Sequence, residues 1–331
     1  MYTDEDLNTA IDKGIFTANA VEEFRIDYTA TKNMSVVDEE NFRLIGGFND
    51  IFVVIACLIL LFSASQVVGA FNETLASFLG VAISWGLAEF FVRKRKMSLP
   101  AIVLLLAFVT QVFYAILGLF ETPSEMSIAL ATAATAAAAW FHWRRFRVPI
   151  TIAAGAAAVT ACIVASILYM FPVTTQWVLP LILLGGILVF CLAMYWDTAD
   201  RERTGYQSDV AFWLHLLSAP LIVHPVFSSL GILDGTESVF SIAIVIALYG
   251  FMTLISVVID RRAFMVSSLV YVLYAFSNLL EVYGVIGYNF AVTGVCISVS
   301  LLLLTAFWHK ARVLLVMQMP AAIQQRVPTL K

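Results

Sequence analysis

The basic residues of this chain fall into clusters that separate long apolar segments. The sequence has 19 Lys and Arg residues, and beyond the N-terminal region they stand in five groups, at 93–96, 144–147, 201–203, 261–262 and 310–331. Between successive groups the chain runs apolar, breaks once at a short uncharged or acidic turn, and runs apolar again. Each segment between two basic groups is therefore predicted to form a hairpin that leaves one side of a membrane and returns to it.

Ten apolar runs are long enough to cross a bilayer, whose hydrocarbon core requires about 20 helical residues. They are approximately 51–68, 74–92, 99–120, 126–142, 149–171, 177–196, 209–230, 237–259, 264–283 and 289–308.

Alternating these runs from a cytoplasmic N-terminus places every basic cluster on the cytoplasmic side, where Lys and Arg are retained. The same alternation places four acidic residues in the outer loops: Glu121, Glu125, Asp234 and Glu237. Because ten is even, both termini are expected in the cytoplasm, and the expected location is a bacterial inner membrane.

Composition supports this class of protein. The chain is 61% hydrophobic and 13% charged, whereas soluble domains carry about 25% charged residues. Long continuous apolar runs without two-residue alternation exclude a β-barrel. The predicted fold class is all-α: a polytopic membrane bundle of ten transmembrane spans with a small helical cytoplasmic N-terminal arm.

Three regions are predicted: an acidic arm at 1–46, the bundle at 47–310 and a cytoplasmic tail at 311–331. The arm holds ten acids and four bases, a net charge of −6, which argues against binding nucleic acid or anionic lipid. Within the arm, Gly14 is expected to end a first helix. A second helix is expected to follow Thr17, and a third to run from about 38 to 45.

The seventh run, 209–230, carries two histidines and two prolines. Pro220 and Pro225 predict a bent or broken helix, a device by which transporters expose backbone at a binding site. His215 and His224 are nine residues apart, which places them on opposite faces of an unbroken helix. The conservative interpretation is that each histidine bonds a neighbouring span. The functional one is a proton- or ligand-sensitive site, since histidine titrates near neutral pH.

The ninth run, 264–283, carries a polar stripe at helical spacing. Its members are Ser267, Tyr271, Tyr274, Asn278 and Glu281. Such a stripe must face protein or water rather than lipid. His224 and Glu281 lie about 21 and 25 Å from the inner ends of their runs, at 1.5 Å per residue. We therefore expect the seventh and ninth spans to face each other, with these two residues in one polar cavity. The alternative is an interfacial, hydrated Glu281.

The inner loop at 197–209 offers a weak signal for metal chemistry. Asp197, Asp200 and Asp209 could bind Mg²⁺ and phosphate, and Gly205-x-x-x-Asp209 resembles part of the CDP-alcohol phosphotransferase motif. The rest of that motif is absent, so the loop is expected to be solvated, with Asp209 capping the seventh span. No metal, cofactor or catalytic residue is predicted. The four cysteines are read as small buried hydrophobes, and an enzyme is the less favoured class.

Several residues near span ends are expected to be structural. Tryptophans predict the interfacial aromatic belt, and they are Trp140, Trp143, Trp196 and Trp308 at inner ends and Trp177 at an outer end. His142 is also expected at the interface, and Glu89 is expected to pair with Arg93 along one helix. The alanine-rich fourth and fifth runs predict close helix packing.

Parts of the chain resemble known membrane proteins. DEENFRLIGGFNDIFVVIACLILL (38–61) and SDVAFWLHLLSAPLIVHP (208–225) look like proteobacterial multi-pass membrane proteins of unknown function. The layout of helix, Gly-Ile and helix from Ala10 to Val21 is similar to a bacterial membrane-protein domain of unknown function. The resemblance implies a bacterial inner-membrane protein and no particular activity.

Two functions follow from these patterns. The first is a transporter or permease for a small solute or ion, with the seventh and ninth spans lining the route. The second is an accessory or scaffolding subunit that docks a membrane-protein partner through residues 1–46. Every loop within the bundle is too short to hold a soluble catalytic domain.

Overall fold

The computed structural model describes residues 4–24, 48–200, 203, 205–229, 239–282, 289–324 and 327–328 of the 331-residue chain. These residues form helices joined by short turns, and no strand occurs among them. The chain divides into two compact units, Met1–Phe42 and Arg43–Lys331.

The first unit begins with two short helices. Helix α1 spans Asp4–Asp12 and ends at Gly14, whose φ of +67° is favourable only for glycine. The Gly14 and Ile15 amides donate to the carbonyls of Ile11 and Ala10, the pairing that closes a helix with a left-handed glycine. Helix α2 covers 18–24, and the Ala20 amide donates to Oγ1 of Thr17 at 3.2 Å. Both local predictions are confirmed, whereas the expected helix at 38–45 lies outside the described residues.

The second unit contains one helix for each of the ten predicted apolar runs. They are α3 (Phe48–Gly69), α4 (Glu73–Ala88), α5 (Ser98–Leu117), α6 (Glu125–Phe146), α7 (Ile150–Met170), α8 (Val178–Ala199), α9 (Tyr206–Ser228), α10 (Val239–Ile259), α11 (Ala263–Val282) and α12 (Asn289–Gln318). A π-helical turn, Glu89–Lys94, extends α4. A 3-10 turn, Pro172–Trp177, precedes α8. The four-residue helix α13, Ala321–Gln324, follows α12.

Among the described residues, six helices are long and apolar enough to cross a membrane. They are α3, α4 with its π turn, α5, α7, α8 and α9. Helices α10 and α11 contribute shorter apolar stretches, Ala243–Ile259 and Ala263–Leu273. Helix α6 is not among these six candidate spans. It is rich in alanine, which is less apolar than leucine or valine. The described part of the chain is therefore all-helical with six candidate membrane spans, and the count of ten spans stays a prediction.

The start of α9 and the end of α12 differ from their predicted positions. Helix α9 begins at Tyr206 with Gly205 as its N-cap, so Asp209 lies inside the first turn and does not cap the helix. The N-cap amide instead donates to Oδ2 of Asp200 at 2.7 Å. Helix α12 continues to Gln318, about three turns beyond the predicted end at 308. No proline or glycine interrupts residues 309–318, and Val316 is buried there.

Small residues set the spacing between neighbouring helices. A Cβ atom placed on Gly186 of α8 would come within 2.9 Å of the backbone carbon of Leu221 in α9. On the α6–α7 interface, a Cβ on Gly155 would lie 3.7 Å from that of Ala139, and Ala139 is itself buried. Such residues let helix backbones approach closely in lipid, as the alanine-rich pair predicted.

Helix α9 is the most enclosed of the six candidate spans. Half of its apolar window (50%) is buried, compared with 17% for α3 and for α8. On one side α9 packs through Ala219, Val223 and Phe227 against Val245 of α10 and Phe264 of α11. On the other, its Val210 and Leu214 pack against α7 and α8. The helix that carries the predicted histidines is thus a central one.

The basic turns meet at one end of the bundle. Glu89 after α4 binds Arg145 near the end of α6, and Trp143 of α6 stacks on Tyr206, the first residue of α9. Asp197 near the end of α8 binds Arg261 in the turn between α10 and α11. In that same turn, Asp260 accepts a hydrogen bond from Trp308 of α12. We call this the basic end, and it brings together 93–96, 144–147, Arg203, 261–262 and 308–312, as the charge pattern predicts.

The close approach of α8 and α9 gives a stability prediction. Gly186→Ala should lower the free energy of unfolding by about 1–3 kcal/mol, because the new methyl group must displace the α9 backbone. Gly86→Ala is the matched control, since a Cβ at Gly86 has no atom within 4 Å and alanine favours helix. Thermal unfolding of both variants in detergent, followed by tryptophan fluorescence, checks the difference. Equal melting temperatures for the two variants would contradict the packing.

Candidate functional site: a buried Asp–His–Arg cluster

Three ionisable side chains meet in the interior at the basic end. Asp197 of α8, His215 of α9 and Arg261 of the α10–α11 turn expose 1%, 0% and 2% of their surface. His215 Nε2 lies 2.8 Å from Oδ2 of Asp197. The Arg261 guanidinium donates to the other carboxylate oxygen, Oδ1, at 2.7 Å. One carboxylate therefore ties together three segments that are distant in sequence.

The cluster is completed by the first turn of α9. Arg261 also donates to the Ser208 carbonyl and to its Oγ, both at 3.2 Å. Phe212, one turn further on, places its ring 6.0 Å from the guanidinium carbon, within range of a cation–π contact. The Ser208 carbonyl can accept this bond in addition to a helical one, because a carbonyl oxygen has two lone pairs.

Aromatic rings enclose the imidazole. The rings of Phe190 and Phe264 lie 5.4 and 6.5 Å from that of His215, and the two phenylalanines also contact each other. Among the described residues, none bonds the second ring nitrogen, Nδ1. His215 thus has one hydrogen-bond partner, Asp197, among the described residues. Its ring packs against aromatic side chains in the interior, where charge interactions are stronger than in water.

A second group of charges lies beside the first. Asp260 accepts from Arg203 at 3.1 Å and from the Trp308 indole at 2.8 Å, and Arg312 approaches it at 3.7 Å. Arg203 also donates to the Ile259 carbonyl at 2.8 Å, a favourable place for a cation at the end of α10. Arg312 in turn donates to the Pro328 carbonyl at 2.8 Å. This group joins the α8–α9 loop, α10, α12 and the C-terminal segment.

His224 forms a separate contact near the other end of α9. Its Nδ1 lies 2.6 Å from the Tyr271 hydroxyl on α11, and Ser228 Oγ lies 3.4 Å from the same nitrogen. The Tyr271 ring stacks on Phe227 at 4.9 Å between centroids. The seventh and ninth apolar runs therefore face each other through a polar contact, as the sequence predicted.

The two predicted histidines bond different neighbours. His215 contacts α8, and His224 contacts α11, in agreement with the opposite faces expected for an unbroken helix. Pro220 and Pro225 lie inside α9, which is continuous from Tyr206 to Ser228. A break in this helix is thus not observed, and a bend stays a prediction.

The outer half of the predicted polar stripe is not described. Tyr274, Asn278 and Glu281 belong to α11, but their side chains fall outside the described part of the structure. The proposed pairing of His224 with Glu281 therefore stays a prediction.

Other expectations for span ends need correction. His142 was expected at the interface, yet it is fully buried among the rings of Trp85, Phe108 and Phe146. Trp308 was assigned to the aromatic belt, yet it is 2% exposed and bonds Asp260. Both residues are buried because the neighbouring helices provide aromatic or polar partners for them. Hydropathy along one segment does not show those partners.

Glu89 has a stronger partner than the one expected. Its pairing with Arg93 is present at 3.4 Å. Arg145 of α6 holds the same carboxylate with two hydrogen bonds, of 2.6 and 3.0 Å. This bidentate salt bridge holds the end of α4 against the end of α6.

Sequence reasoning missed Asp197 and Arg261 as partners of His215. The sequence predicts a solvated loop around Asp197 and a basic turn around Arg261, because each residue lies at the end of an apolar run. The sequence did contain a signal for this site. Asp197 and Arg261 lie at span ends on the same predicted side, and His215 lies in the span between them.

Comparison of the chain with protein-family models, with curated proteins and with solved structures found no match. The geometry of the site is therefore the basis for any functional assignment. In the described residues, no group of three or more His, Cys, Asp or Glu side chains is placed to hold a metal ion.

The buried cluster predicts a large stability effect. Asp197→Ala should lower the free energy of unfolding by about 3–5 kcal/mol, because it leaves Arg261 buried without its counter-charge. The double variant Asp197→Leu with Arg261→Met should recover part of that loss, since it removes both charges. Thermal and denaturant unfolding in detergent measure these differences.

Glu89→Gln is the control for a salt bridge outside the core. Its side chain and that of Arg145 are 30% and 42% exposed, so solvent weakens their attraction. We expect little change in the unfolding midpoint. A loss as large as that of Asp197→Ala would show that burial does not distinguish the two sites.

Proposed function

We propose that this protein is a transporter or permease that moves a small solute or ion across a bacterial inner membrane. One observation supports the proposal best: the central helix α9 makes polar contacts to α8 and to α11 within an apolar bundle. Ionisable side chains inside a membrane are costly and mark solute or proton pathways more often than other positions. In this proposal ten spans place both termini in the cytoplasm.

The proposed route lies between α9 and α11. His224 and Tyr271 lie on this route, and His224 remains exposed after bonding Tyr271. An exposed histidine in an apolar span is unfavourable against lipid, so a polar route beside it is the favoured environment. Tyr274, Asn278 and Glu281 follow Tyr271 at helical spacing and would extend the polar lining toward the outer end.

The buried cluster supplies a proton-sensitive element in this proposal. The charged groups that face His215 are Asp197 from α8, Arg261 from the α10–α11 turn and Arg203 from the α8–α9 loop. Asp209 of α9 faces Arg261 in addition. With a neutral imidazole, Asp197 and Arg261 balance each other. A proton on His215 adds a positive charge to a dry pocket, which favours a rearrangement of Arg261 relative to α9.

Reconstituted vesicles test the transport proposal. The purified protein in proteoliposomes should move at least one species from a panel of protons, alkali cations and small metabolites, with rates that change between pH 5.5 and 8. His224→Ala and Glu281→Gln should reduce that flux by about tenfold or more without loss of folded protein. The readouts are fluorescent ion indicators and mass spectrometry of the vesicle contents.

His309→Ala is the matched control, because it removes a histidine of α12 that lies away from the proposed route. It should transport like the wild type. Two outcomes would contradict the proposal: no species moves in wild-type vesicles under either orientation of the pH gradient, or the two route variants retain full flux.

A second function is favoured by the N-terminal unit. Residues 1–42 form a compact unit of their own, and three large apolar side chains in it are exposed: Ile15 at 65%, Phe16 at 51% and Phe24 at 51%. A contiguous exposed apolar patch is typical of a docking surface, and Ile15 and Phe16 are adjacent exposed residues. An accessory or scaffolding subunit that holds a membrane-protein partner through residues 1–46 is therefore the alternative.

Deletion of residues 1–46 separates the two functions. If the protein is an accessory subunit, the full chain should co-purify a stoichiometric partner from its native membrane. The truncated chain should lose that partner while its melting temperature stays unchanged. Native mass spectrometry in mild detergent measures both species. A full-length chain without a partner would count against the accessory function and leave transport as the proposal.

A further inference from the structure

The ends of α4 and α6 form a strongly basic surface. Seven exposed cations lie there, and they are Arg93, Lys94, Arg95, Lys96, Arg144, Arg145 and Arg147. Within the described residues, the ion pairs of these cations all go to one carboxylate, that of Glu89. The seven-cation surface therefore keeps most of its positive charge uncompensated.

Contacts between the two helix ends make this a single surface rather than two separate turns. The two hydrogen bonds from Arg145 to Glu89 hold the end of α6 beside the end of α4. In the π-helical turn, the Arg95 and Met97 amides donate to Phe90 and Phe91 at 3.1 Å, and this fixes the backbone that carries Lys94 to Lys96. Both basic segments are thus positioned by ordered backbone and by each other.

Aromatic rings hold several of the cations in place. Arg144 lies over Trp140 at 5.0 Å, and Arg147 lies over Trp143 at 5.5 Å. Arg95 lies over Phe90 at 5.7 Å. A guanidinium on a ring face keeps its N–H groups available to an acceptor and loses little freedom when one binds.

The surface continues directly into exposed apolar rings. Trp140, Phe141 and Phe90 are 52%, 59% and 43% exposed, and they lie in the last two turns of α6 and in the π turn that extends α4. Aromatic rings beside basic residues are typical of a membrane–water interface. A ligand that fits both halves of this surface has an anionic head and an apolar body. A free anion would use only the cations.

We propose that the seven-cation surface binds an anionic phospholipid, with its phosphate on the guanidinium and ammonium groups and its acyl chains along Trp140, Phe141 and Phe90. A headgroup with two phosphates matches the excess of cations better than one with a single phosphate. Basic pockets between membrane helices recognise such headgroups by charge, and Arg is suited to paired hydrogen bonds with phosphate oxygens.

Native mass spectrometry of the full-length protein tests the proposal. The detergent-purified protein is mixed with equal concentrations of cardiolipin, phosphatidylglycerol and phosphatidylcholine. Cardiolipin should be retained at least about fivefold more than phosphatidylcholine, with phosphatidylglycerol between them, and the preference should weaken as ionic strength rises.

Charge variants locate the site. Arg144→Gln with Arg147→Gln should reduce bound cardiolipin by about fivefold or more. Lys94→Gln with Arg95→Gln is a second variant on the other turn, in case the first does not fold. Arg262→Gln with Lys310→Gln is the matched control, because it removes two exposed cations of the basic end outside the seven-cation surface.

Three results would overturn the proposal. Equal retention of cardiolipin and phosphatidylcholine would exclude recognition of the headgroup charge. Equal loss in the control variant would show diffuse attraction by the whole basic end. Release of cardiolipin by millimolar inorganic phosphate, at constant ionic strength, would show a site for a small anion rather than for a lipid.

Discussion

A charge that is buried in a membrane protein must be balanced inside the protein, and Asp197 provides that balance at the basic end. Its two carboxylate oxygens bind His215 and Arg261, which lie on different segments. The burial of Arg261 is tolerable because Asp197 balances its charge and accepts a hydrogen bond from it, and Ser208 accepts two more. The relative position of α8, α9 and the α10–α11 turn therefore depends on this cluster. Replacing Asp197 or Arg261 leaves the other charge without compensation.

The same requirement organises the rest of the basic end. Asp260 contacts Arg203, Arg312 and Trp308. Glu89 forms ion pairs with Arg93 and Arg145. Each acid thus joins at least two segments. At the basic end, these acidic residues link different segments by binding the more numerous basic residues. The surplus of bases stays exposed at the ends of α4 and α6.

Helix α9 connects structure with the proposed function. It is the most enclosed candidate span, and it bears one polar contact on each of two faces. Near its start it takes part in the charged cluster, and near its end His224 reaches Tyr271. A displacement of α9 would change both contacts together. This coupling makes α9 the natural moving element if the protein transports a solute.

The sequence by itself determined the helical architecture and the clustering of bases at one end, because both follow from hydropathy and charge along the chain. It also placed His215 and His224 on different faces through the helical period alone. Only the tertiary structure decided that Asp197, His215 and Arg261 share one site, that His142 and Trp308 are buried, and that Arg145 is the main partner of Glu89. Those contacts join helices distant in sequence, and no local pattern encodes which helices become neighbours.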